Sequence, residues 1–212
     1  MQTEFQIKDQ SGNSDNHLLG DVSFVSALFV RENSIYKTLG VDCWDIKRDA
    51  RKFNGKNPII AHPPCRAWGQ LSHMAKPREG ERELAIWSIN QIRKFGGVLE
   101  HPRASKLWKE MNLPIGREVD EYGGFTICVN QHWWGHKAEK KTLLYICGCK
   151  ISDLPSIPLR FELVEFVITS GHRKGDLGWK PRVTQQEREA TPPDFAKWLI
   201  NVASRCSSRH IA

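Results

Sequence analysis

The sequence predicts an α/β fold built on a largely parallel sheet, and three observations carry that prediction. Short apolar runs of strand length recur along the chain, among them residues 22–30, 41–45, 58–62 and 98–100. Between the third and fourth lies a longer segment, 81–95, whose Ala85, Ile89 and Ile92 recur at helical spacing. Strands that alternate with amphipathic helices bury their apolar faces when the helices cover a sheet. A chain of 212 residues with 40% apolar content is large enough to close one such core.

Residues 1–20 are polar and aperiodic and read as a flexible arm, which leaves 21–212 as one folded domain. The run 22–30, rich in Val, Phe and Leu, is the first strand. Residues 32–39 can form a short helix, with Gly40 placed to stop it. A second strand follows at 41–45 and a turn of helix at 48–53. The run 58–62 is the third strand. The helix 81–95 ends at Gly96-Gly97, and a strand at 98–100 is halted by His101-Pro102. Later strands are expected at 125–129, 142–146 and 161–169. The last helix has Thr191 as N-cap, Pro192 in its first turn and Asp194 near the positive end of its dipole.

Lys and Arg number 31 against 24 Asp and Glu, a net charge of +7. A basic domain favours polyanionic partners, nucleic acid first. No apolar stretch reaches membrane-spanning length and the N-terminus is polar, so no membrane partner and a cytoplasmic setting are expected. The six cysteines, at 43, 65, 128, 147, 149 and 206, should then be reduced. Cys147-Gly148-Cys149 is not a zinc spacing and no second pair matches it, so no metal site is expected. Eight tryptophans suit stacking on bases as well as ordinary packing.

The most informative segment is His62-Pro63-Pro64-Cys65. Its prolines cannot donate ladder hydrogen bonds, so they end the strand and stiffen the turn. Cys65 is thereby presented at the carboxyl end of a strand, where open α/β sheets bind ligands, and is a candidate nucleophile. Glu100 is a carboxylate at a second strand end. A basic loop, 134–142, carries Lys140 into the strand 142–146. Thiol, carboxylate and cation at the ends of different strands make an active-site set. Arg66 and Lys140 are the cations expected to lower the thiol pKa. The segment 171–180, with glycines, basic residues and one tryptophan, reads as a loop suited to phosphate contact or as a plain solvated loop.

In this order the pieces resemble the cytosine-5 DNA methyltransferases, with a Pro-Cys loop (Pro64-Cys65), a Glu turn (Leu99-Glu100) and then a basic strand (Lys140). Leu28-Phe29, the acidic turn at 45–50 and the closing Thr191-Pro192-Pro193-Asp194-Phe195-Ala196 extend the resemblance over most of 22–205. It implies a single Rossmann-like, methyltransferase-type domain that acts on DNA. The implied reaction is methyl transfer from S-adenosylmethionine to cytosine C5 through a cysteine adduct at C6, on a base flipped from the duplex. Cys65 is then the nucleophile, Glu100 the carboxylate on the base and Lys140 the counterpart of an arginine. Phe29, Asp45, Pro63 and Thr191 fall on the cofactor side, with Asp45 at the ribose hydroxyls. Arg66, Trp68, His101 and Trp134 fall on the substrate side. A carboxyl pKa raised in a dry pocket would let Glu100 share a proton with N3.

There is no room for a large target-recognition region between Ile146 and Thr191, which implies weak sequence specificity, as in phage- or prophage-encoded modifiers working in a host cytoplasm. Residues 29–34 contain no glycine. Two alternatives stay open. One is a base-modifying enzyme of the same fold that does not use S-adenosylmethionine. The other is a non-catalytic DNA-binding module that masks DNA.

Overall fold

The computed structural model describes residues 24–169 and 172–207; the expected arm and the start of the first expected strand lie outside them. Six strands form one sheet in the order β2-β1-β3-β4-β6-β5. They are β1 Ser26–Leu28, β2 Asp42–Trp44, β3 Ile59–Ala61, β4 Gly97–Pro102, β5 Phe125–Asn130 and β6 Lys141–Cys147. The first four are parallel, and the β5–β6 hairpin is antiparallel, β6 pairing with β4. Five α-helices accompany them: α1 Ile35–Thr38, α2 Glu81–Phe95, α3 Leu107–Glu110, α4 Gln185–Glu189 and α5 Pro193–Ser204.

Alternation along the strands splits the core into two layers, because successive side chains point to opposite faces. Ala27, Ile60 and Val98 pack with Tyr36 of α1 and with Phe195, Leu199 and Val202 of α5. Leu28, Ile59, Ala61 and Leu99 pack instead with Ala85, Ile89 and Ile92 of α2. The three α2 residues named for their spacing are therefore the ones that reach the sheet. Gly97 lets β4 start against β3, since a Cβ there would meet the Ile59 carbonyl oxygen at 2.0 Å.

Several expected elements move. Ser34 accepts from the Tyr36 N–H, so the first helix is shorter and begins after it. The turn at 48–53 is 3-10, over Ala50–Lys52, capped by Asp49. At α5 the cap is Pro192 and Pro193 takes the first helical position, one residue later than expected for Thr191 and Pro192. No strand forms over 161–169. Phe161 and Leu163 are about nine-tenths exposed, and pairing there is limited to bridges from Phe166 to Ala138 and from Val167 to Arg182. An apolar run forms a strand only where it pairs with a sheet edge, and this segment pairs with neither edge strand, β2 or β5.

Candidate active site

The carboxyl ends of β1 to β4 and the loop end of the β5–β6 hairpin share one edge. The chain leaves β1 toward β2 on one side and returns past it to β3 on the other. A reversal of this kind opens a crevice at the strand ends, the usual ligand position in such sheets. Phe29, Asp45 and His62-Pro63-Pro64-Cys65 follow β1, β2 and β3 at this edge. Phe29 has φ 60, in the left-handed region, and its ring meets Trp87 edge-on at 6.0 Å. A bulky residue held there costs about 1–3 kcal/mol, and such strain concentrates at functional sites.

Glu100 is the hub. Its side chain is 13% exposed. His62 Nδ1 lies 3.1 Å from Glu100 Oε2, and His62 Nε2 lies 3.0 Å from the Tyr36 hydroxyl. Burial, then the Glu100 charge, pushes the Tyr36 phenol well above its ordinary pKa, so it stays protonated. His62 Nδ1–H donates to Glu100, and in the neutral imidazole Nε2 accepts from the Tyr36 hydroxyl. On the other oxygen, Gln131 Nε2 donates to Glu100 Oε1 at 2.9 Å and also to Thr142 Oγ1 at 3.0 Å. Lys140 is fixed through its backbone: its N–H donates to Asn130 Oδ1 at 3.1 Å, and its carbonyl accepts from the Gln131 N–H at 3.1 Å. Its ammonium donates to the Ala190 carbonyl at 3.4 Å.

Cys65, Glu100 and Lys140 act on one another here. Burial pushes the Glu100 carboxyl up, but the His62 hydrogen bond and the charge of Lys140 outweigh it and bring the pKa down to about 2. The expected raised pKa is corrected: Glu100 is a firmly held anion. Cys65 is exposed as a residue, yet the protein around its thiol and then the Glu100 charge raise its pKa, with Lys140 opposing. The expectation of a lowered thiol pKa is corrected as well. Arg66 does not supply that charge, because its Nε pairs with Glu81 at 2.7 Å on the start of α2.

Three other expected site residues are core. Trp68 is fully buried, donates its Nε1–H to the Arg82 carbonyl at 3.1 Å and lies under the Arg82 guanidinium. Trp134 is buried against Phe195 and Trp198, at 4.9 and 5.1 Å between ring centres. His101 follows Glu100 by one position, so strand alternation sends it to the α2 face, where it is fully buried edge-on to Trp108. Burial there lowers its pKa to about 4 and keeps it neutral.

Asp45, expected on the cofactor side, is buried and ionised. Its Lys37 hydrogen bond, with backbone donors, brings its pKa down to about 2. Oδ1 accepts from the N–H groups of Lys47 and Arg48, while Oδ2 accepts from the half-exposed Lys37 ammonium at 2.6 Å. One oxygen is thus committed to the turn. The other is held by a flexible side chain that a hydroxyl could displace, so the donor set fits a ribose diol. Pro63 is buried just beyond the end of β3. Thr191 lines an open groove with Pro192, Pro193, His136 and Lys137 across the edge.

Tyr36 and Gln131 are not singled out by the sequence, and His62 is named there only as part of the Pro-Pro-Cys segment, with no role at the site. No group of three or more metal-ligating side chains occurs among the described residues. No helix among them is long and apolar enough to cross a membrane. No family model matches this chain, and no curated protein or solved structure similar to it is found.

Proposed function

We propose that this chain is a DNA-modifying enzyme that adds Cys65 to C6 of cytosine so that C5 can take a methyl group. The observation that supports this reading best is the convergence, at one sheet edge, of a thiol, an anionic carboxylate and an ammonium from three different strand ends, in the chain order the resemblance implies. The net charge of +7 supports a polyanionic substrate.

The residues present suggest how the thiol is switched on. At rest Glu100 is an anion and opposes ionisation of Cys65. A cytosine set against Glu100 would place its N4 amino group and N3 toward two acceptor oxygens. Moving the thiol proton to N3 forms an ion pair between the protonated base and Glu100. That step cancels the charge that opposed the thiolate and leaves Lys140 to favour it. The thiolate then forms the S–C6 bond, and the electron pair displaced from C5=C6 makes C5 nucleophilic. His62 and Gln131 hold the carboxylate oxygens in place throughout. Phe29, Asp45, Pro63 and Thr191 would hold S-adenosylmethionine, which when bound supplies an electrophilic methyl group.

Radiolabelled methyl transfer from S-adenosylmethionine to DNA tests the reading. Transfer by the wild type that is lost in Cys65→Ala supports it, and undiminished transfer by Cys65→Ala overturns it. A wild type that binds no S-adenosylmethionine by calorimetry, yet still adds Cys65 to the base, moves the assignment to the cofactor-independent alternative, which the glycine-free turn at Phe29 favours.

A further inference from the structure

Cys149 and Cys206 sit at the opposite edge of the sheet from Cys65. Cys149 follows Gly148 just after β6, and Cys206 follows the C-cap of α5. Their sulfurs are 3.4 Å apart. The backbone on both sides is locked. The Ser207 N–H donates to the Gly148 carbonyl at 3.1 Å. A Cβ at Gly148 would come within 2.6 Å of the Ser207 carbonyl oxygen, and one at Gly96 within 2.9 Å. The chain therefore threads between two glycines, and the thiols meet because their backbones are fixed.

We infer that Cys149 and Cys206 form an oxidisable dithiol site for hydroperoxides, with Cys149 as the attacking thiol and Cys206 as the resolving one. Accessibility assigns these roles: Cys149 is half-exposed and Cys206 is buried. The Cys206 hydrogen bond also favours the Cys149 thiolate, as does Arg205, against burial and Asp153. That same hydrogen bond, with burial, keeps Cys206 protonated. The Cys149 thiolate attacks one oxygen of hydrogen peroxide; an S–O bond forms, the O–O bond breaks, and hydroxide leaves and is protonated to water. The Cys206 sulfur then attacks the Cys149 sulfur. The S–S bond forms, the S–O bond breaks, and hydroxide leaves with the Cys206 proton as a second water. Two thiols lose two electrons and two protons while one peroxide becomes two waters. The sulfurs close from 3.4 Å to about 2.05 Å. The new bond ties the end of α5 to the end of β6 and closes a long loop, which constrains the unfolded chain.

The test is peroxide treatment of the reduced full chain, followed by alkylation and peptide mapping. The expected product links tryptic peptide 142–150 to 206–209 with loss of two hydrogens, raises the melting temperature and is reversed by excess thiol. Peptide 142–150 also carries Cys147, so fragmentation assigns the partner. Dimedone should capture a sulfenic acid on Cys149 in Cys206→Ala, and none on Cys206 in Cys149→Ala. A link through Cys147, or oxidation of Cys149 no faster than that of exposed Cys128 with no linked peptide, overturns the proposal. Mapping of the wild type decides it if either variant fails to fold.

Discussion

Replacing His101 by leucine separates a structural histidine from a substrate contact. The ring is fully buried beside Trp108, and neither nitrogen has a hydrogen-bond partner among the described residues. Its pKa falls from an ordinary 6.5 to about 4 in the folded chain, and burial is the main cause. Between these values the unfolded chain binds the extra proton and the folded chain does not, so stability falls as pH falls through this window. Worked from those two values, His101 alone should cost the wild type about 2.5 kcal/mol between pH 7.5 and 4.5. His101→Leu keeps the volume and removes the proton site. Its stability at pH 7.5 should change by less than about 1.5 kcal/mol, with that share of the loss toward pH 4.5 removed. Urea unfolding across that range, followed by tryptophan fluorescence, gives both numbers. An unchanged pH slope in His101→Leu would refute the buried neutral histidine. A leucine variant that is stable but no longer engages DNA would return His101 to the substrate side.

Three other outcomes follow from the site. Glu100→Gln removes the anion beside Cys65, so alkylation of that thiol by iodoacetamide at pH 7.5 should speed up several-fold relative to Cys128, and Lys140→Met should slow it; equal rates in all three proteins would contradict the electrostatic coupling. His62→Ala should cost about 1.5–3 kcal/mol at pH 7, because it strips a hydrogen bond from a largely buried carboxylate. Glu100 has a lowered pKa, so its contribution is present above pH 4.5 and is lost as pH falls toward about 2; His62→Asn, which keeps a donor, should recover part of the loss in urea titrations. Trp134→Ala should destabilise by about 3–5 kcal/mol, as a core cavity does, and calorimetry showing a shift below about 1 kcal/mol would place the ring outside the core.

What was legible in the sequence was local. The strand expected to stop after Glu100 runs on through Pro102, but Cys65 is tied to a strand end by its adjacent prolines, and Ala85, Ile89 and Ile92 fall on one helix face. Those patterns survive into the fold because the forces behind them act within a few residues. The supporting contacts of Glu100 are of another kind. His62, Gln131 and the Tyr36–His62 link join residues 38, 31 and 26 positions apart, and nothing in local spacing announces them. Trp68 and Trp134, expected on the substrate side, are each folded into the core by a 3-10 turn. His101 shows how a one-residue step on a strand moves a side chain to the other face. The segment 161–169 carries a strand-like pattern whose outcome depends on a sheet edge elsewhere in the chain.

The most direct test of the account is trapping on DNA that contains 5-fluorocytosine, in the presence of S-adenosylmethionine. After methyl transfer, fluorine at C5 blocks the proton loss that expels the thiol. The expected product is a covalent protein–DNA species that survives denaturation, maps to the peptide containing Cys65 and is absent in Cys65→Ala. A folded wild-type protein that binds this DNA and forms no such adduct, or forms one through another residue, would contradict it.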